Sequence, residues 1–304
     1  MAIPMSGRRL LLAGAAAALT VPAAAQAPSM PFLVLGDWGR GGAHRQREVG
    51  ACMGRVAEGM GSRFVLSLGD NFYEDGVTGP DDPQWAGSFE SVYPHPALMT
   101  PWHAILGNHD YRGSVEAQLR YRGGNGRWRM PARFYARSET LADGTRADFF
   151  HLDTSPFLQR YLGTRTNVMG QDTAAQLLWL ERQLAASTAA WKIVVGHHPL
   201  FTATGGKHDT PELIGPLQPM LARYGVQAYL AGHIHNLQEV QVDGVVYLTS
   251  GAGSQLGRVK FLQRSGFAAE RHGFVAARLA REALVLAYID EAGTVLRETV
   301  IRRA

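Results

Sequence analysis

Among its 304 residues the chain has a single cysteine, Cys52. One thiol can form neither an internal disulfide nor a thiolate metal cluster, which excludes a disulfide scaffold and a zinc-finger-type module. Charge is also scarce: Asp, Glu, Lys and Arg make up 18% and nearly cancel, leaving a formal net charge of +4. That balance gives little support to nucleic acid or a membrane surface as a partner. No repeat of solenoid length occurs, and no Pro/Ser-rich linker divides the sequence. The apolar run near the N-terminus, LLLAGAAAALTV, is too short to span a bilayer comfortably. Hydrophobic residues nonetheless make up 46%, enough for a folded chain with a substantial core.

That apolar run follows Arg8 and Arg9 and precedes the small residues of PAAAQAP, the layout of an export signal, with cleavage expected after Ala25. The segment SGRRLLL resembles a twin-arginine signal, with Gly7 where that pattern has Ser. Losing Arg8 and Arg9 takes the formal charge from +4 to +2. The expectation is an export signal over residues 1–25 and a single domain over 26–304. The mature protein is expected to be periplasmic or secreted, without stable membrane insertion.

Downstream, strand-like runs alternate with helical stretches. Strands are expected at 32–36, 63–68, 102–106 and 147–152, helices near 44–60 and 174–186, and a further strand at KIVVG. Such alternation argues for an α/β architecture. Cys52 falls in the first helix, where Val49, Met53, Val56 and Met60 have the spacing of an inward face. From residue 226 the runs VQAYLAG, GVVYLTSG, GFVAARLA, ALVLAYID and TVLRETVIR follow closely with turn signals between them, which predicts sequential antiparallel pairing. The expected fold is α/β, two mixed β-sheets packed as a sandwich and flanked by helices.

Five of the runs end alike: FLVLGD at Asp37, FVLSLGD at Asp70, HAILGN at Asn108, KIVVGH at His197 and AYLAGH at His233. One Gly-Asp or Gly-His pair reads as an ordinary turn. Five at the carboxyl ends of strands, where the loops of an open α/β sheet converge on ligands, read as a site. With Tyr73 and His235 nearby, the donors are carboxylate, amide and phenol oxygens and imidazole nitrogens, which suit hard or borderline cations. Seven ligands exceed the four of a tetrahedral zinc, so two ions are expected. Asp70, with two carboxylate oxygens, is the natural bridge, and Tyr73 would reach one ion only. A phenol with an ordinary pKa of about 10 needs a strong Lewis acid to hold it deprotonated, and Fe(III) fits best. The alternative is Tyr73 as a half-buried aromatic with its hydroxyl hydrogen-bonded.

Taken together, GDWG, GDNFY, GNHD, VVGHHP and AGHIH resemble the motif series of the purple acid phosphatases, small tartrate-resistant type, within the dinuclear metallophosphoesterase superfamily. FFHLDT and LTSGAGS extend the likeness, which is strongest between residues 32 and 254. The resemblance implies a metallophosphoesterase-like αββα fold and a catalytic domain over 26–304. It implies hydrolysis of phosphomonoesters by a metal-bound hydroxide at an Fe(III)-M(II) centre, with an acidic optimum. It assigns Fe(III) to Asp37, Asp70, Tyr73 and His235, and a divalent Fe, Zn or Mn to Asp70, Asn108, His197 and His233. His109 would face substrate oxygens. His208, in ATGGKHD, would be the acid for the leaving group, although it is set further from GHHP than in the small enzymes. His198 stands where those enzymes carry an aromatic residue and is read as site wall. The implied partners are small phosphorylated substrates and no nucleic acid. The long irregular connection 154–173 corresponds to a region that in small relatives can restrain access to the site.

The stretch 111–138 packs seven arginines among Tyr, Trp and Phe. A nucleic-acid surface conflicts with the mild overall charge, so the preferred reading is a loop framing the site, with arginines that favour anionic substrates. Asp153 and His151 flank one strand, either as groups that orient a ligand imidazole or as strand-end residues, and both stay outside the expected site. Two rival functions stand beside the main one. The first is a divalent dinuclear metallophosphoesterase acting on phosphodiesters or nucleotides, with Tyr73 a bystander. The second is a catalytically dead member of the fold used as a binding module, against which the filled ligand positions argue.

Overall fold

The computed structural model describes residues 28–303, and the expected export signal lies outside them. In chain order the elements are β1 (Ser29–Leu35), α1 (Gln46–Met60), β2 (Val65–Ser67), β3 (Trp102–Ala104), α2 (Val115–Arg120), β4 (Trp128–Arg129), β5 (Tyr135–Thr140) and β6 (Arg146–His151). There follow α3 (Thr173–Ala186), β7 (Trp191–Val195), α4 (Pro211–Arg223), β8 (Ala228–Ala231), β9 (Leu237–Val242), β10 (Val245–Ser250), β11 (Gly266–Ala269), β12 (Gly273–Ala280), β13 (Ala283–Asp290) and β14 (Val295–Arg302). They form two seven-stranded sheets, ordered β14-β13-β12-β1-β2-β3-β4 and β11-β9-β10-β8-β7-β6-β5. Both sheets are mixed: β1 to β4 run parallel, as do β6, β7, β8 and β10, and the remaining pairings are antiparallel. This is the expected sandwich.

The layers follow from side-chain parity, since successive residues of a strand point to opposite faces. In β1, Met30, Phe32 and Val34 meet Leu66, Phe149, Ile193 and Leu230 between the sheets. Leu33 and Leu35 meet Val49, Cys52, Met53 and Ala57 of α1 on the other side. Covered on both faces, β1 reads in sequence as a continuous apolar run. On the far face of the second sheet, Leu180, Leu184, Leu213, Leu217 and Leu221 of α3 and α4 pack on Phe150, Val194 and Tyr229. No helix among the described residues is long and apolar enough to cross a membrane.

Three expectations are corrected. The strands after residue 226 form the expected sequential antiparallel pairs only in part: β9 pairs with β10, and β12, β13 and β14 pair in order, but the run is not continuous. β8 and β10 run parallel, and β12 crosses to the other sheet to pair antiparallel with β1, Ser29 opposite Ala280. Local pattern favours neighbours, but the second edge of buried β1 has to be covered, and β12 covers it. The stretch 211–223, to which the sequence pattern assigns no element, is α4, although Pro216 and Pro219 lie inside it. Each interior proline removes a hydrogen bond, yet Leu213, Leu217 and Leu221 recur at one-turn spacing and are buried, and that packing outweighs the local penalty. The arginine-rich stretch is not a bare loop but carries α2, β4 and the start of β5. Arg127 is buried, donating to the Tyr93 carbonyl and pairing with Glu90 at 2.9 Å, and Arg137 lies over the Phe64 ring. Among the described contacts, Arg112 is the one of the seven that reaches an expected site residue, His109.

Candidate metal centre

Five parallel strands, β1, β2 and β3 of one sheet and β7 and β8 of the other, deliver Asp37, Asp70, Asn108, His197 and His233 just past their carboxyl ends. The glycines between strand and donor allow the close approach. Gly69 has φ +87°, and a Cβ there would fall 2.8 Å from His197 Nδ1, while a Cβ on Gly107 would overlap the Asp70 carboxylate. Asp37, Asp70 and His233 themselves adopt left-handed backbone, with φ of 61°, 49° and 66°. Such conformations are uncommon outside glycine and gather at functional sites.

One half of the cluster centres on Tyr73. Its hydroxyl lies 2.9 Å from Asp37 Oδ1, 2.9 Å from Asp70 Oδ2 and 3.1 Å from His235 Nε2. A phenol has one proton to give, so it cannot satisfy both carboxylates, and both are buried. The other half gathers on His197, whose Nε2 is 3.3 Å from Asn108 Oδ1 and 3.5 Å from Asp70 Oδ2. His197 Nδ1 is 2.8 Å from the Leu68 carbonyl oxygen, the partner that leaves Nε2 free as a ligand atom. The His233 ring stands 5.1 Å from that of His197, centroid to centroid, and its backbone N–H donates to Asp37 Oδ2 at 2.8 Å. Asp70 therefore faces both halves.

The electrostatics follow the same division. Burial opposes the charge on Asp70, but His197 beside it, with help from His109 and His233, holds the carboxyl far below its ordinary range. Burial likewise opposes charge on His197, yet the Asp70 carboxylate pushes it up to about 9. Burial, then the charges of Asp37 and Asp70, pushes the Tyr73 phenol well above its ordinary value. A cation set among these donors would reverse that logic, serving every oxygen the single phenolic proton leaves unserved. The donor set fits two hard or borderline ions.

His109 lies at the edge of the cluster. Its backbone N–H donates to Asp70 Oδ1 at 2.7 Å, and its Nδ1 is 2.6 Å from the Glu74 carbonyl oxygen. Asp110 accepts from the backbone N–H of Gly107 and Asn71 and from the Gln118 amide, fixing the turn that carries Asn108. His198 forms part of the wall, fully buried, with Nδ1 2.9 Å from Thr154 Oγ1 and Nε2 3.0 Å from the Tyr161 hydroxyl. His208 sits on a separate short turn, its Nδ1 2.9 Å from Thr204 Oγ1. Asp153 bonds to the Tyr111 hydroxyl and to Gln176 rather than to a donor imidazole. His151 is stacked on Tyr135. Sequence reading missed Arg160 and Tyr161: Arg160 Nη2 is 3.2 Å from His233 Nε2, and no local pattern announces a contact over that separation.

A sandwich of two mixed sheets with nitrogen and oxygen donors gathered at its strand ends suits a dinuclear metallohydrolase. The calcineurin-like phosphoesterase family model matches residues 30–237. Purple acid phosphatase 7 of Arabidopsis thaliana is 42% identical over 241 residues, covering 76% of this chain and 72% of that protein. Tartrate-resistant acid phosphatase type 5 of Homo sapiens is 34% identical over 314 residues, covering 94% of this chain and 95% of that protein. The chain belongs to the purple acid phosphatases and is an acid phosphatase built around a dinuclear metal centre. Among solved structures, GAP50 of Plasmodium superposes with a TM-score of 0.81 at 24% identity, covering 91% of this chain and 90% of that one. A purple acid phosphatase from yellow lupin seeds gives 0.64 at 17% identity, covering 91% and 54%. These two likenesses speak to the fold alone.

Proposed function

We propose that the chain hydrolyses phosphomonoesters with Asp37, Asp70, Tyr73 and His235 holding Fe(III), and with Asp70, Asn108, His197 and His233 holding a divalent Fe, Zn or Mn. Residues 26–304 form one catalytic domain, periplasmic or secreted once residues 1–25 are removed. The observation that carries this reading is the Tyr73 hydroxyl, set within 3.1 Å of two carboxylates and an imidazole with a single proton to share among them. Bound there, the two ions would supply Lewis acidity that neutralises phosphate oxygens and acidifies water.

The chain's own groups do the rest. Asp70 ties the two halves together, its Oδ2 facing Tyr73 and His197 and its Oδ1 holding the His109 backbone. His109, with Nδ1 engaged by the Glu74 carbonyl, presents Nε2 to the oxygens of the substrate. The leaving alkoxide needs a proton, and His208, oriented by Thr204, provides it. His198 is the poorer donor, because Thr154 and Tyr161 already engage both of its nitrogens.

The visible absorption spectrum, paired with elemental analysis and repeated on Tyr73→Phe, tests this. A broad phenolate-to-Fe(III) band that disappears in the variant, at about two metals per chain, is expected. A colourless, fully metallated and active protein would instead assign divalent ions and leave Tyr73 as packing. Rates on a nitrophenyl monoester should exceed those on a bis-nitrophenyl diester.

A further inference from the structure

Several guanidinium groups around the centre are matched with carboxylates: Arg40 with Glu74, Arg165 with Asp75 and Arg264 with Asp209. Arg112 and Arg160 are not so matched among the described residues. Arg112 Nη1 lies 2.9 Å from His109 Nδ1 and 3.4 Å from the Glu74 carbonyl oxygen. Arg160 Nη2 lies 3.2 Å from His233 Nε2 and 3.3 Å from the Tyr161 hydroxyl. All of these partners are neutral groups or ring nitrogens. Among the described residues neither guanidinium has a carboxylate at ion-pair distance; the Glu74 carboxylate, paired with Arg40, is near enough for Arg112 to help hold it below its ordinary range, whereas Arg160 stands against His233 and Tyr161.

The two differ in placement. Arg112 is tied inward, beside His109 and with its Nε also 3.4 Å from Thr166 Oγ1. Arg160 is exposed, on the segment between β6 and α3, and its neighbour Tyr161 is anchored to His198 at 3.0 Å. His233 Nε2 cannot accept from a guanidinium and hold a cation at the same time. With a cation on that nitrogen the like charges repel, and the donors of Arg160 turn to whatever anion enters. A guanidinium fork matches phosphate and carboxylate oxygens, and such charge-assisted bonds are among the stronger ones.

We propose that Arg160 is a specificity-determining residue that binds a second anionic group of the substrate, so that diphosphates and phosphate esters of acids are preferred over monoesters lacking one. This rests on the phosphatase reading of the same centre.

The test compares holoenzymes of the wild type, Arg160→Met, Arg160→Lys and Arg165→Met. Steady-state rates are measured on inorganic pyrophosphate and on nitrophenyl phosphate, which has no second anion, and calorimetry gives the Kd of methylenediphosphonate and of inorganic phosphate. Arg160→Met should lower kcat/KM for pyrophosphate roughly ten- to a hundredfold, chiefly through KM, while nitrophenyl phosphate falls by a far smaller factor. Methylenediphosphonate should weaken in parallel and inorganic phosphate much less, with partial recovery in Arg160→Lys. Arg165→Met, which loses a paired arginine of the same segment, should keep the wild-type ratio between substrates. Equal losses on both substrates, or a methylenediphosphonate-to-phosphate Kd ratio the same in Arg160→Met as in wild type, would overturn the proposal. A metallated wild type inert toward nitrophenyl phosphate would refute the phosphatase reading instead, and the two Kd values would still decide the role of Arg160.

Discussion

His151 of β6 is fully buried, stacks on Tyr135 with ring centroids 4.3 Å apart, and among the described residues has no hydrogen-bond partner on either ring nitrogen. Burial, reinforced by His103 and Arg137, holds it neutral far below its ordinary range. Unfolded, the same imidazole titrates near 6.5. With the folded value below the unfolded one, the unfolded chain takes up the extra proton in acid, so stability is full above about pH 6.5 and is lost as pH falls. At pH 5, about 1.5 units below the unfolded value, the loss from one such group is about 2 kcal/mol. His103, pushed down to about 3 by burial and then by Arg137 and Arg129, acts in the same direction. Replacing His151 by Phe keeps a flat ring on Tyr135 and removes both the titration and the two unpartnered nitrogens. Urea unfolding of His151→Phe and wild type at pH 8 and pH 5 measures the effect. The drop in stability between the two pH values should be smaller in the variant by about 2 kcal/mol. At pH 8 the variant should gain about 1–3 kcal/mol from losing unsatisfied polar groups, less any cost of the larger ring. A variant that loses as much stability on acidification as the wild type would refute the reasoning. For an acid phosphatase, this buried imidazole is a weakness in the pH range where it is expected to act.

Gly107→Ala would drive a methyl into the Asp70 carboxylate; metal content should fall and the rate drop on the order of a hundredfold, as small displacements at a catalytic centre do, and a fully metallated, fully active variant would count against the geometry. Phe32, fully buried between the sheets, stacks on Phe64 at 4.9 Å and meets Phe149 edge-on at 5.8 Å; Phe32→Ala should cost about 3–5 kcal/mol in urea unfolding, and a cost under about 1 kcal/mol would mean the sandwich interior re-closes around the cavity.

The strand ends were legible in sequence because the chemistry is local there: an apolar run, a glycine where backbone comes close, then a donor. The strand β1 was legible for a similar reason, as an unbroken apolar stretch, while its burial on both faces shows only in the packing of α1 and the second sheet against it. What local pattern cannot carry is partnership between distant segments. The pairing of β12 with β1 and the contact of Arg160 with His233 both join residues that no turn or period connects. The arginines of 111–138 looked like a charged surface because composition does not tell a guanidinium locked against backbone carbonyls, as in Arg127, from one facing solvent. The helix α4 was hidden by its own prolines, whose local cost is visible in sequence while the burial of Leu213, Leu217 and Leu221 is not.

The placement of β12 also sets a timetable. At about 5–20 residues per second, a ribosome takes roughly 10–50 s between making β1 and making the strand that closes its second edge. Through that interval one side of an apolar strand is bare, the condition under which chains pair with one another, so chaperone cover during synthesis matters for this protein. Asp37 lies two residues beyond β1, and its carbonyl oxygen accepts from the Ser254 hydroxyl, a group made more than two hundred residues later. A chain cut after residue 237, where the family match ends, would still contain all seven proposed ligands and yet lack the strand that pairs with β1.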